Sequence, residues 1–228
     1  MHKLKRIAAP KSWPIDRKGL TFITKPKPGP HPLEFSLPLI VIIKDLMKYA
    51  HNKKEVRNIL FNKNILIDGV RRKDHRLPVG LFDVIDIADK KEQFRVIINK
   101  KGKISYYPIS KTDASIKPCK IIGKTKIKGK TQINLFDGKN ILVDKDDYKP
   151  GDSLLLSLPK KDIKKHLKLE KGATIYLVGG KHIGTTGTVE SISSKKILYK
   201  ETSGNSFETL KKYAFVVGDK KREITLPD

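Results

Sequence analysis

The longest apolar run in this chain is Leu37 to Ile43, and Pro38 interrupts it. All other apolar material comes in shorter stretches separated by turns rich in glycine and proline. A chain patterned this way cannot gather one large core. It can build several small sheets, because a strand needs only about four to eight residues whereas a buried helix needs about ten to twelve. At roughly 150 residues per domain, 228 residues make one large domain or two to three small ones. The same run falls short of the roughly 18 apolar residues of a membrane span. The basic N-terminus lacks the apolar segment of a secretory signal, so neither a transmembrane nor a secreted protein is expected.

Charge narrows the partner. Lys and Arg number 49 against 24 Asp and Glu, a formal charge of +25. Such a chain repels itself and calls for a polyanion, with nucleic acid ahead of an anionic membrane surface. No amphipathic helix with interfacial Trp or Phe supports the membrane. Cys119 is the single cysteine. It can form neither an intrachain disulfide nor a cysteine-rich zinc site, which reads as cytosolic.

Residues 1–36 form a basic arm carrying Lys5, Arg6, Lys11, Arg17 and Lys18, punctuated by the prolines of Lys25 to Pro32. With little to bury, the arm is expected to be disordered or extended until it meets a partner. Trp13, the only tryptophan, either anchors the arm on a neighbouring core or stacks on a base or ribose. Residues 37–92 follow with Leu39, Ile42, Ile43, Leu46 and Ala50 at helical spacing, which predicts a first helix. Asn52 and Glu55 are spaced as a capping box. They open a second helix whose stripe is Val56, Ile59 and Leu60, leaving Lys53, Lys54 and Arg57 on the polar face. Ile65 to Ile67, a turn at Asp68-Gly69, a basic loop from Arg71 to Arg76, a turn at Pro78 to Gly80 and a strand-like run from Leu81 to Ile87 complete this part. Residues 93–168 read as a β-rich central domain, with Lys160 to Lys171 a loosely docked connector. Residues 169–228 read as a further strand set and tail. The fold class is α+β and multidomain.

The sequence offers little chemistry. Gly123 to Thr131 resembles a phosphate-binding loop, but five residues separate its glycines and a strand follows, so the backbone N–H groups and helix that cradle a phosphate are missing. The six histidines are scattered without metal-ligand spacing, no Gly-x-Ser-x-Gly elbow exists, and the pair Asp146-Asp147 is too little for a metal-dependent nuclease. No cofactor, metal, catalytic residue or small-molecule substrate is expected. What remains is basic side chains on successive short elements, in the arm and at Lys54, Arg57, Lys63, Arg71, Arg72 and Lys73. Any one lysine is better explained by solvation; the concentration of them points to binding.

Two short helices with a basic face, a strand, an Asp-Gly turn, a charged loop and Pro78-x-Gly80-x-x-Asp83-x-Ile85 resemble the αL-type RNA-binding domain. Glu170 to Val189, with Gly179, Gly180, Gly184 and Gly187, resembles a KOW motif, whose glycines serve a turn in a small SH3-like barrel. Leu4 to Trp13, then Gly29-Pro30-His31, the αL-like part, the KOW-like part and Phe215-Val216-Val217-Gly218 in that order resemble the small-subunit ribosomal protein S4e family of archaea and eukaryotes. The resemblance implies a non-catalytic constituent of the cytoplasmic small ribosomal subunit. Its partners would be ribosomal RNA and neighbouring small-subunit proteins. The implied RNA-binding residues are Lys5, Arg6, Lys11, Trp13, Arg17, Lys18, Lys54, Arg57, Lys63, Arg71, Arg72 and Lys73, with Gly184 and Gly187 as turn glycines. An RNA-modifying enzyme and a KOW-containing transcription factor are the rivals. The first would need an Arg-Leu-Asp catalytic turn and a large further domain; the second sits poorly with the αL-like part and the basic arm.

Overall fold

The computed structural model describes residues 3–127, 129–144, 147–201 and 204–227. The chain divides into two compact units, Met1–Ile98 with Gly102–Ala114, and Asn99–Lys101 with Ser115–Asp228.

In the N-terminal unit the arm is folded. Strand β1 (Lys3–Lys5) pairs antiparallel with β2 (Phe22–Thr24), placing Leu4 opposite Ile23. The loop between them is closed by one side chain. The Arg17 guanidinium donates to the carbonyls of Arg6, Ile7, Ala9 and Pro10 at 3.0–3.3 Å. Carbonyls of a proline-broken segment have few backbone donors to turn to, and a planar five-donor fork meets several at once. Trp13 is fully buried, its Nε1–H donating to the Leu33 carbonyl at 3.2 Å. The arm is therefore neither extended nor disordered: low apolar content is offset by side-chain satisfaction of its backbone.

Strand β3 (Ser36–Pro38) pairs with Pro78–Gly80, a segment expected as a turn. Leu37 and Val79 face each other across this pair with no exposure, so burial makes a strand of a turn-like sequence. The first helical stretch is shorter than its pattern. It comprises α1 (Leu39–Val41) and a π-helical turn (Ile42–Leu46), and ends before Lys48, whose φ is 55°. Leu39 to Ile43 are all buried, so the element is surrounded rather than laid on a surface. Helix α2 (Lys53–Asn62) starts as its sequence predicts. The Asn52 side chain accepts from the Glu55 N–H at 2.9 Å and the Glu55 carboxylate accepts from the His51 N–H at 2.7 Å.

A five-stranded sheet follows. Continuing the numbering past Pro78–Gly80 (β6), its strands are β4 (Ile65–Ile67), β5 (Val70–Arg71), β7 (Val84–Ile87), β8 (Glu92–Ile98) and β9 (Ile104–Pro108), in spatial order β5-β4-β7-β8-β9. Asp68 and Gly69 both take positive φ (52° and 74°), the conformation that an Asp-Gly hairpin turn requires. The sheet runs on past residue 92, because β8 pairs with β7 and β9 with β8. Arg95 has no exposure and holds the following turn by donating to the Asp113 carboxylate at 3.0 Å and carbonyl at 2.9 Å.

The C-terminal unit holds two five-stranded antiparallel sheets. The first, in order β12-β11-β10-β13-β14, consists of β10 (Ile116–Ile127), β11 (Lys130–Leu135), β12 (Asn140–Val143), β13 (Ser153–Ser157) and β14 (Ile163–Leu167). Strand β10 serves two partners, β13 along its first part and β11 along its second, with a register break between Ile121 and Gly123. Cys119, Ile121, Ile133, Leu135, Leu154 and Leu156 form the core beneath it. The Lys160 to Lys171 segment is no loose connector: its β14 pairs with β13 and Leu167 is fully buried. The second sheet, in order β18-β17-β16-β15-β19, consists of β15 (Thr174–Leu177), β16 (Thr186–Ile192), β17 (Lys196–Glu201), β18 (Ser206–Leu210) and β19 (Ala214–Gly218).

Candidate nucleic-acid interface

Helix α2 buries Val56 and Leu60, which turns Lys53, Lys54 and Arg57 outward, and all three are exposed. Lys63 caps the helix end, and the β4–β5 hairpin carries Arg71, Arg72 and Lys73 out beside it, again exposed. Two contacts show that helix and hairpin meet. Arg71 donates to the Phe61 carbonyl at 2.8 Å, and the Lys73 ammonium lies 5.7 Å from the centre of the Phe61 ring. Phe61 itself is 56% exposed, off the apolar stripe of its helix and flanked by cations. An aromatic face edged with positive charge is what a single-stranded base stacks on. Sequence reading by helical stripe passes over this residue; the signal for it was an aromatic that the stripe does not use.

Charge convergence registers on His75, in the loop after the hairpin. Burial first, then Lys53, Arg57 and Arg76, depress its pKa below the ordinary value, against an opposing pull from Asp74. The α2 cations and the hairpin loop thus share one field.

Beneath this surface, Pro78-x-Gly80-x-x-Asp83 is scaffold. His31 and Asp83 are both buried and joined at 2.9 Å, and Asp83 also accepts the Gly80 N–H at 2.8 Å. A Cβ on Gly80 would lie 2.2 Å from the His31 ring, and one on Gly29 would lie 2.4 Å from Pro78 Cγ. The glycines are there so that the Gly29 to His31 strap can lie on β6.

In the arm, Lys5, Lys11 and Lys18 are exposed, whereas Arg6 and Arg17 are half-buried and bonded to main-chain carbonyls, Arg6 to that of Asp16 at 2.8 Å. Trp13 shows no face to solvent. The arm's cations and those of α2 lie in one unit. In the C-terminal unit, a Cβ on Gly187 would meet Tyr199 Cδ2 at 2.6 Å and the Lys200 carbonyl at 2.7 Å, and Gly184 has φ 78°. Both glycines answer to close backbone approach. The phosphate-loop-like stretch is the β10–β11 hairpin, with no helix to face an anion; its Lys128, and Asp146 of the acid pair, lie outside the described residues. Among the described residues no cluster of three His, Cys, Asp or Glu could hold a metal, and no helix is long and apolar enough to cross a membrane.

Comparison with known proteins decides what this surface belongs to. Residues 90–163 match the model of ribosomal family S4e, and residues 1–34 match the RS4NT domain. The small ribosomal subunit protein eS4 of Methanosphaera stadtmanae is 45% identical, over 98% of this chain and 95% of its own. The chain belongs to the S4e family of ribosomal proteins. A second S4e relative, small ribosomal subunit protein eS4 of Methanocaldococcus jannaschii, is 41% identical over 98% of this chain and 96% of its own. The crystal structure of the 30S ribosomal protein S4e from Thermoplasma acidophilum has a TM-score of 0.70 and 30% identity, covering 81% of this chain and 95% of that one. As an S4e protein the chain is a structural constituent of the small ribosomal subunit in the cytoplasm and not an enzyme.

Proposed function

We propose that the chain holds folded ribosomal RNA through an αL-type surface made of α2 and the β4–β5 hairpin, with Lys54, Arg57, Lys63, Arg72 and Lys73 on phosphates and Phe61 under a base. The exposed Phe61, with the Lys73 ammonium 5.7 Å from its ring centre and Arg71 on its carbonyl, is the observation that carries this reading. In the arm, the exposed Lys5, Lys11 and Lys18 meet phosphate, while Arg6, Arg17 and Trp13 set the shape that presents them. Arg71 divides its charge between RNA and the end of α2. The β15–β19 sheet, with Gly184 and Gly187 at its close approaches, is the KOW-type SH3-like barrel, and neighbouring small-subunit proteins complete the environment.

Recognition is electrostatic attachment to a folded RNA shape, and its test is a charge reversal that spares structural contacts. Replacing Lys54, Arg57 and Arg72 together with Glu lowers affinity for small-subunit ribosomal RNA at least a hundredfold in filter binding, with an unchanged circular dichroism melt. Unchanged RNA affinity in that variant removes α2 and the hairpin from the interface.

A further inference from the structure

The C-terminal unit contains a groove that the RNA-binding reading does not use. It measures about 670 Å³ and lies where β10, at its register break, faces the turn between β18 and β19. Its floor is apolar: Ile121, Ile122, Phe136, Val178, Leu210 and Phe215. The Phe136 and Phe215 rings meet edge to face at 6.2 Å. Ile122 and Leu210 remain 59% and 38% exposed, although both line this concavity. Ile122 stands at the register break, where β10 changes partners and its neighbours cannot cover it.

The rim is cationic. Lys195, Lys211 and Lys212 surround the floor, and among the described residues no Asp or Glu lines the groove. A fourth lysine, Lys120, is buried and builds the wall. Its Nζ donates to the carbonyls of Lys211, Lys212 and Ala214 at 3.3, 3.0 and 2.6 Å, tying β10 to the turn before β19. Burial, and then Lys211, lower its pKa to about 8, so the rim charge reaches into the wall.

Groove chemistry selects the occupant. A phosphodiester backbone gains nothing from an apolar floor, and base edges would find few polar groups there to read them. A second copy of the chain would bring another +25 of like charge. The chain's own tail is already spent, since Ile224 and Leu226 are buried. A segment carrying apolar side chains for the floor and carboxylates for the lysines satisfies both parts. We propose that this groove docks an acidic, apolar peptide segment of a neighbouring protein. The complement is one of charge and shape together, and the groove shares no residue with α2 and its hairpin.

The test uses the full chain and a fluorescein-labelled peptide alternating Asp or Glu with Leu or Phe, read by anisotropy. The control peptide has the same acidic residues with Ser in place of Leu and Phe, which separates the groove from general attraction to a basic protein. The apolar peptide should bind at least tenfold tighter than the control. The paired variant Ile122→Ser with Leu210→Ser, which leaves net charge unchanged and alters only exposed side chains, should abolish that difference. The Lys54, Arg57 and Arg72 reversal should leave the difference in place, so failure of the RNA reading and failure of the groove are told apart. Equal binding of the two peptides overturns the proposal. So does a difference that survives in the Ser variant, or displacement of the peptide by a short single-stranded RNA that loses affinity in the same variant.

Discussion

Phe61 and His75 offer the sharpest tests of the proposed interface. Phe61 is 56% exposed, so Phe61→Ser should leave stability within about 0.5 kcal/mol. Loss of the proposed base stack should weaken RNA binding by about 1–3 kcal/mol, measured by filter binding against an unchanged thermal melt. Arg71→Ala should lower both quantities, because the same guanidinium also holds the Phe61 carbonyl at the end of α2. His75 reports on the field above it. In the folded protein its pKa lies below the ordinary value, while in the unfolded chain it titrates near about 6.5. As pH falls below that value the unfolded chain takes a proton that the native state resists. Stability contributed here is full above the unfolded pKa and declines as pH drops toward the folded one. An RNA phosphate on Arg57 would remove part of the repulsion and raise the His75 pKa, so binding should tighten as pH falls through this window. An NMR titration of the His75 ring with and without RNA checks this; an identical midpoint in both would place the phosphates elsewhere.

Elements were legible in the sequence where local signal and tertiary demand coincide. Helix α2 is announced by Asn52 and Glu55, and the β4–β5 hairpin by Asp68-Gly69. Other elements were illegible for physical reasons. Strand β14 reads as a lysine-rich connector because Leu167 is its one fully buried residue along an exposed edge, with Ile163 and His166 only partly covered. Strand β18 exposes Ser206, Glu208 and Leu210 and takes its conformation from pairing with β17. Pro78–Gly80 has the composition of a turn and becomes a strand because Leu37 lies across from Val79. The basic surface was readable as a set of lysines and arginines. Which of them stay free was not, because Arg6 and Arg17 are withdrawn by carbonyls that only the closed loop assembles. Among the glycines, Gly187 admits the sharpest test. Tyr199 is buried and β17 lies directly across, so neither neighbour can retreat from an added methyl. Gly187→Ala should cost about 1–3 kcal/mol in denaturant melts and leave the α2 surface competent for RNA. The same substitution at Gly123, where an added Cβ meets nothing within 4 Å, should be nearly silent.

For the whole molecule, a charge of +25 guarantees attraction to RNA but not specificity, and salt separates the two. The five phosphate contacts proposed for α2 and its hairpin predict a log–log slope of affinity on salt of about −3.5 to −4.5, which the triple reversal should flatten by about 2 to 3. Diffuse attraction from the remaining lysines survives that variant and disappears at high salt. The closed arm has a thermodynamic corollary. A tail that orders only on contact with its partner takes apolar surface out of water at that moment and leaves a large negative heat-capacity change in the binding isotherm. Here Ala9, Trp13 and Ile23 are already dry before any partner arrives. Calorimetry of association should therefore register only the surfaces that touch RNA, with the arm contributing as a preformed element whose loop Arg17 holds closed.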